Sequence, residues 1–276
     1  VPDIAAAVQA TLDAIETPYQ TQTRALGPSK IASYLYCPRA FYLAYETGRR
    51  FPHNAEAVLG TAIHAVISHA HEWHWTERDK RSAADMLTDI MDAVPALRKE
   101  SPAVELAYRS ARDEWLPWYL HWQRGQETIA VEERWELDWE GIPLTGTIDR
   151  VYIDGVPVVS DIKSGKRAPN AEQLRTHLQL TLYDWAFCET CGHQPHGLQI
   201  VHLRGMKDGI YDTSRTPEYH LHVLEGTVRP VAHMIEWSRQ TGEWPCNPGT
   251  LYGCHYCLCR AACPVGLGGN DDGGSD

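Results

Sequence analysis

The chain reads as an α/β protein, and three observations carry that reading. Apolar residues fall at helical spacing through most of the segment up to Arg124, and the period switches to two at Ile129. Beyond Lys166, a helical pattern, two strand patterns and a second helical pattern follow to about Gln240. At 276 residues the chain can bury a substantial core, as one large domain or one domain with an appendage. Hydrophobic residues at 43% and charged ones at 22% are the proportions of an ordinary soluble globular protein. No apolar run approaches a membrane span, and no basic-then-apolar leader opens the chain, so a cytoplasmic location is expected.

Ile4, Val8, Leu12 and Ile15 make a short amphipathic helix, followed by a polar, proline-bearing linker to residue 28. Ser29 is positioned to cap a helix running to about Tyr36. Cys37-Pro38 then breaks and restarts it, with Cys37 at the cap and proline in the first helical position. The restarted helix, Arg39 to about Tyr45, is rich in aromatics. A helix from about Ala57 to Trp75 turns Leu59, Ile63, Val66, Ile67 and Ala70 inward, with Gly60 and His64 one turn apart beside that stripe. Helices from about Ser82 to Leu97 and Val104 to Arg124 read as scaffold.

From Ile129 the strand pattern sends Val131, Trp135, Leu137 and Trp139 one way and Glu132, Arg134, Glu136 and Asp138 the other. Glu133 is the single acid on the apolar side, and whether Glu132 or Glu133 joins a site stays open at this point. Two β-branched segments flank Asp154-Gly155, a strong hairpin signal. Asp161 and Lys163, two apart on the second strand, share a face. A two-residue loop would pair Asp149 with Ser160 and send it to the opposite face. A three-residue loop, Ile153-Asp154-Gly155 with Gly155 left-handed, pairs Asp149 with Val159 and sets Asp149, Asp161 and Lys163 together. The expectation is that odd register or an equivalent bulge.

Asn170 with Gln173 resembles a capping box opening a helix that Gly192 ends. It buries Leu174, Leu178, Leu182 and Trp185, and carries Arg175, Gln179 and Tyr183 at spacing four on another face. Strands at about Gly197 to Leu203 and Glu218 to Val223, and a helix at about Thr227 to Gln240, complete the pattern. The last residues, from Gly266, read as disordered.

Two carboxylates beside a lysine have the makings of a divalent-metal site for phosphodiester hydrolysis. Hard oxygens hold Mg²⁺ or Mn²⁺ through few protein ligands and leave room for water and a phosphate oxygen. The lysine can orient water and counter the charge growing on phosphorus. An isolated D-x-K is more often a surface ion pair, so the weight rests on the rest of the chain. The formal net charge of −11 gives no support to nucleic-acid binding through bulk charge, so any DNA site must be a local basic patch.

Of eight cysteines, Cys254, Cys257, Cys259 and Cys263 crowd one short segment. In a reducing compartment such density points to a ligated metal centre. Cys254-x2-Cys257-x5-Cys263 supplies three well-spaced ligands, and a four-thiolate site needs one more. A zinc site pairing Cys188-x2-Cys191 with Cys254-x2-Cys257 would need an unusually long spacer, and thiolate chemistry alone allows either metal.

These residues, in order, resemble the RecB-type PD-(D/E)XK nucleases that carry an iron–sulfur cluster. That family includes AddB-type nuclease domains, CRISPR-associated RecB-like exonucleases and phage relatives. Tyr36-Cys37-Pro38-Arg39 with Phe41-Tyr42-Leu43 is similar to their N-terminal cysteine helix, and Gly60-x3-His64 to their histidine motif. Gly146-x2-Asp149-Arg150-Val151 and Asp161-Ile162-Lys163-Ser164-Gly165-Lys166 resemble the two acidic motifs. Gln179-x3-Tyr183 resembles the helical motif that follows, and Cys254-x2-Cys257-x5-Cys263 the terminal cluster motif. Ser160 stands where the motif's name has proline, and Cys259 is an extra thiol.

The resemblance implies a restriction-endonuclease-like α/β core, a mixed sheet flanked by helices, over residues 29–264, between an N-terminal segment 1–28 and a tail 265–276. It implies Mg²⁺ or Mn²⁺ held by His64, Asp149, Asp161 and the Ile162 carbonyl, with Lys163 positioning water and Gln179 and Tyr183 ordering the cleft. It implies a [4Fe-4S] cluster on Cys37, Cys254, Cys257 and Cys263. Lys166, Arg167 and Arg175 are the local basic patch for DNA phosphates. The expected reaction is exonucleolytic hydrolysis of DNA, from an end of a single strand, alongside a helicase, recombinase or integrase. The alternative is a silent copy that only holds DNA ends, against which the presence of His64, both aspartates and Lys163 argues.

Overall fold

The computed structural model describes residues 4–16, 24–47, 55–94, 101–247, 254, 257 and 259–263. The tail from Gly266 lies outside the described residues, as do the last turn expected for the helix ending at Leu97 and most of the Asn247-Pro248-Gly249 turn. The chain divides into two compact units, and strands β1 and β2 contribute to both. The first comprises Val1–Glu16, His53–Trp135 and Thr147–Pro217, and the second Thr17–Pro52, Glu136–Gly146 and Glu218–Asp276.

Five strands form one mixed sheet in sequence order: β1 (Glu127–Trp139), β2 (Ile142–Ile153), β3 (Pro157–Lys163), β4 (Gly197–His202) and β5 (Ile210–Thr213). β2 and β3 pair antiparallel, β3 and β4 parallel, and β4 and β5 antiparallel. This is the α/β architecture of a mixed sheet flanked by helices that the sequence leads one to expect. β5 was not foreseen: four residues, Ile-Tyr-Asp-Thr, are too short to show a period.

In the first unit the helices α1 (Ile4–Glu16), α4 (Ala55–Glu72), α5 (Lys80–Asp92), α6 (Pro102–Ser110) and α7 (Leu116–Trp122) build the main core. α2 and α3 belong to the second unit. Val58, Leu59, Ala62, Ile63, Val66, Ile67 and Ala70 are buried along α4, a stripe at spacings of three and four. Met86, Leu87, Ile90, Tyr108, Leu116 and Tyr119 meet it, and Ile162, Val201 and Leu203 extend the same core into the sheet region. Ile4, Val8 and Leu12 of α1 pack against it as their spacing predicts.

The hairpin between β2 and β3 corrects the expected register. Arg150 pairs with Ser160, Val151 with Val159, Tyr152 with Val158 and Ile153 with Pro157, so the loop is Asp154-Gly155-Val156 rather than Ile153-Asp154-Gly155. Gly155 is left-handed at φ 69°, and the Asp154 N–H donates to the Val156 carbonyl at 3.0 Å. Carried one residue further, this register sets Asp149 level with Asp161 instead of Val159. The slip is two residues, and a strand period of two leaves the shared face intact.

The single helix expected from Asn170 to Cys191 is two helices, α8 (Ala171–Arg175) and α9 (Leu178–Cys191). The Asn170–Gln173 capping box forms as expected. His177 breaks the run by capping α9, its Nδ1 accepting the Leu180 N–H at 3.3 Å. Arg175 therefore does not share a helix with Gln179. The middle of α9, from Leu180 to Phe187, is buried on every side, so the separate apolar and polar stripes expected there do not exist. Gly192, at φ 73°, ends α9 as expected.

In the second unit, α2 (Pro28–Tyr36) begins with Gly27 at the cap and Pro28 first, not with Ser29 as the cap. A proline already supplies the favoured first helical residue, which puts Ser29 inside the turn. Cys37 and Pro38 restart the chain as α3 (Pro38–Phe41), which runs on through a π turn at Tyr42–Glu46. The strand expected at Glu218 to Val223 is instead helix α10 (Pro217–Val223), continuing through a π turn at Leu224–Val228 into α11 (Arg229–Thr241). The alternation Tyr219-Leu221-Val223 imitates a strand over six residues. The buried set His220, Leu224, Val228, Val231 and Ile235 keeps helical spacing over the longer window, and that burial decides the structure.

Candidate active site

β3 sits inside the sheet, so the acid on it enters the core with its neighbours. Asp161 is fully buried, and one of its oxygens accepts from the Lys163 ammonium at 2.8 Å. Lys163 Nζ also donates to Gln179 Oε1 at 2.8 Å, and Gln179 Nε2 donates to the Tyr183 hydroxyl. Spacing four on α9 puts Gln179 and Tyr183 in line, so one helix fixes the lysine head. The second oxygen of Asp161, Oδ2, is buried with no hydrogen-bond partner among the described residues.

His64 projects from α4 with both ring nitrogens engaged. Nε2 lies 3.0 Å from the Ile162 carbonyl and Nδ1 3.1 Å from Glu132 Oε1, with Asp149 Oδ2 at 3.9 Å. Asp149 Oδ2 also accepts the Ile162 N–H at 2.7 Å. One ligand atom each from His64, Glu132 and Asp149 lies within 4.8 Å of the others. Asp161 is outside that group of three and stands with Lys163. Gly60, one turn before His64, allows the close approach of Ser164, whose Oγ would lie 3.3 Å from an added Cβ.

The charges are mutually sustained. Burial works against protonation of His64, but the Asp149 charge and the hydrogen bond and charge of Glu132 outweigh it and raise the imidazole to about 9. Burial raises Asp149 to about 7, the His64 charge opposing and Asp161 and Glu132 adding to the rise. Burial works against the Lys163 charge too, yet Asp161 and Asp149 hold its ammonium above the ordinary lysine range. At neutral pH Lys163 is thus a hydrogen-bond donor and a positive charge, not a proton acceptor. Burial, then the Asp149 and Asp161 charges, raise the Tyr183 hydroxyl, which stays protonated.

Glu132 is the site residue that simple alternation does not find. Its φ of 48° lies in the left-handed region, uncommon for a side-chain-bearing residue inside a strand. Alternation counts Glu132 among the outward polar residues; the kink breaks it and turns Glu132 to His64. Glu133 instead lines a groove with His71, His74, Trp75 and Arg124. His177 was also missed: it caps α9, and the Asp161 and Lys163 charges reach it. Of the expected basic patch, Arg167 and Arg175 are exposed, whereas Lys166 is ion-paired with Glu56.

In the second unit six cysteines, Cys37, Cys246, Cys254, Cys257, Cys259 and Cys263, line one pocket with Ala40 and Leu43. The Cys246 and Cys263 sulfurs are 4.0 Å apart, and the Asn247 N–H donates to Cys37 Sγ at 3.4 Å. Burial and neighbouring thiols push Cys246 up to about 11 and Cys259 to about 12. Thiols so crowded resist ionisation, and a soft cation bound among them would reverse that. Cys188 and Cys191 lie in the last turn of α9 in the first unit.

Carboxylate and imidazole donors beside a half-buried, charged lysine define the centre of a metal-dependent hydrolase of phosphate esters. The chain matches the family model of the PD-(D/E)XK nuclease superfamily over residues 25–264, and it belongs to that superfamily. Those proteins are nucleases that use divalent metals, and the fold implies DNA as substrate. A search of curated proteins finds no match. Among solved structures the chain is similar to one described as "Crystal structure of SSO0001", at 13% identity over 97% of this chain and 98% of that chain, with a TM-score of 0.41. No helix among the described residues is long and apolar enough to cross a membrane.

Proposed function

We propose that the protein is a Mg²⁺- or Mn²⁺-dependent DNA exonuclease of the RecB type, working from an end of a single strand. One observation carries the reading: His64, Glu132 and Asp149 gather beside a lysine that Asp161 and Asp149 hold in its charged form and Gln179 holds in place. The donor set fits a hard divalent cation, and Asp161 Oδ2, which has no partner among the described residues, offers a further ligand atom. His64, Glu132, Asp149 and Asp161 would hold the ion, with the Ile162 carbonyl as a further oxygen donor. A bound cation supplies charge that offsets the charge growing on the phosphate. Lys163 donates hydrogen bonds to the attacking water and holds positive charge beside the phosphate. Gln179 and Tyr183 keep that ammonium from swinging away. Arg167 and Arg175 meet backbone phosphates, which carry no sequence information.

A [4Fe-4S] cluster on Cys37, Cys254, Cys257 and Cys263 belongs to the same reading. The soft, thiol-lined pocket suits it, and the staple would join segments more than two hundred residues apart in sequence. Digestion of 5′- and 3′-labelled single and double strands, with Mg²⁺, Mn²⁺ or chelator, tests the activity. Mononucleotide or short-oligonucleotide release from single strands, abolished by chelator, is expected. Cleavage of closed circular single strands at the same rate would remove the exonuclease assignment. DNA binding without cleavage in either metal would leave only an end-holding protein.

A further inference from the structure

The cysteine pocket contains more thiols than a four-ligand cluster uses, and two of the six are set differently from the rest. Cys259 lines the pocket with its thiol already engaged: the sulfur lies 3.7 Å from the Ala40 carbonyl, is hydrogen-bonded with Cys257, and packs with Leu43 and Cys263. Cys246 is set apart by its place in the sequence. It is outside the Cys254–Cys263 segment, yet its sulfur is 4.0 Å from Cys263 Sγ.

The position of Cys246 does not depend on that segment. On its N-terminal side, Trp244 stacks on Phe41 and Tyr42, at centroid distances of 5.9 and 5.1 Å. The Pro245 carbonyl accepts the Arg39 N–H at 3.0 Å. On its C-terminal side, Asn247 donates its N–H to Cys37 Sγ and its amide to the Tyr36 carbonyl at 3.1 Å. The residues flanking Cys246 are thus fixed to the same helix pair that presents Cys37. Cys254 is held from within the terminal segment instead: its carbonyl accepts the Cys257 N–H at 3.3 Å, and the two thiols interact.

We propose that Cys246 is a ligand thiol of the metal–sulfur centre, able to take the position of Cys254. Cys37 and Cys246 form a fixed pair on α2 and α3 and their contacts, and Cys257 and Cys263 complete a four-thiolate set with Cys246 or Cys254. This rests on the iron–sulfur reading, and adds a ligand that the spacing of the terminal motif does not contain.

The test is iron and sulfide content with visible absorbance, on full-length protein purified without oxygen. The variants are Cys37→Ala, Cys246→Ala, Cys254→Ala and the Cys246→Ala/Cys254→Ala double. Cys254→Ala keeps more than half of the wild-type iron, whereas the double falls about tenfold, to the level of Cys37→Ala, because three thiolates hold a cubane poorly. Cys254→Ala as empty as Cys37→Ala, or a double that retains iron, overturns the proposal. Wild-type protein without iron overturns the cluster reading itself, which is a separate result. Because the double variant can lose its fold, alkylation of folded Cys254→Ala asks the same question. Cys246 resists iodoacetamide until the iron is chelated and reacts afterwards, with exposed Cys191 labelled throughout as the control. Labelling of Cys246 with iron still in place contradicts its role as ligand.

Discussion

His64 makes sense as a side chain that stands where charge must be balanced. With two carboxylates beside it and a carbonyl on its other nitrogen, it is held as a cation, neutralising the group. A metal needs the imidazole neutral, so binding must replace that positive charge with its own. Glu132 matters here for its negative charge as much as for its reach. Glu132→Gln is expected to raise the Mg²⁺ or Mn²⁺ concentration needed for half-maximal cleavage by about tenfold, with a smaller effect at saturating metal. His64→Ala shifts the same titration further. A metal titration of the cleavage rate checks both, and an unshifted Glu132→Gln curve would remove Glu132 from the ligand set.

At the scale of elements, the strand that carries Asp149 is anchored by its neighbour. Arg150 is fully buried. Its guanidinium donates to Thr128 and Gln126 on and before β1, and lies over the Trp122 and Tyr152 rings at 5.5 and 4.4 Å. Removing it loses charge-assisted bonds to two half-buried acceptors and empties the space between two rings, so Arg150→Ala should cost about 2–4 kcal/mol in urea unfolding. Arg150→Lys should recover little, because a lysine lacks the planar fork that reaches two partners between two rings. α4 gives a pH signature. Burial, then the Arg150 and His74 charges, lower His71 to about 3 from an ordinary 6.5. The folded protein keeps this imidazole neutral where the unfolded chain protonates it. Stability should therefore be full above pH 6.5 and fall as pH drops towards 3, by at most about 1.4 kcal/mol per pH unit. His71→Gln should flatten that slope when melting temperatures are compared at pH 7 and 5.

What the sequence disclosed at this scale follows from window length. α4 spans five turns, and its apolar stripe and His64 were legible; so were the capping box at Asn170 and the left-handed Gly155. The helix α10 was mistaken for a strand because six residues of alternation fit either period. The break at His177 was invisible because a histidine cap looks like any helical residue until its ring meets the Leu180 N–H. The pattern leaves Glu132 and Glu133 as alternatives, because the choice rests on a backbone torsion, which no side-chain pattern encodes. Asp149, Asp161 and Lys163 were legible because acids and a lysine inside β-branched runs contradict plain core packing.

At the scale of the whole molecule, the charge of −11 means that DNA must be held by few contacts. Affinity for single strands should fall with salt along a shallow slope, and Arg175→Ala should lower it by about one unit if that side chain meets a phosphate. Lys166→Ala should change it less, since Lys166 already pairs with Glu56. Fluorescence anisotropy across a salt series reads both, and a steep slope indifferent to Arg175 would place the DNA path elsewhere.

The central claim is that Lys163 and its acidic partners perform hydrolysis, and one comparison meets it head on: the single-turnover cleavage rate of labelled single-stranded DNA by wild-type and Lys163→Ala protein, at saturating Mn²⁺, with DNA affinity and melting temperature measured alongside. Lys163 serves the transition state and sits half-exposed at the end of β3, so its loss should cut the rate by about a thousandfold while binding stays close to wild type. Melting falls modestly, because the buried Asp161 loses its partner, but the protein stays folded at the assay temperature. A Lys163→Ala rate within a fewfold of wild type, in protein that binds DNA and stays folded, would contradict the account.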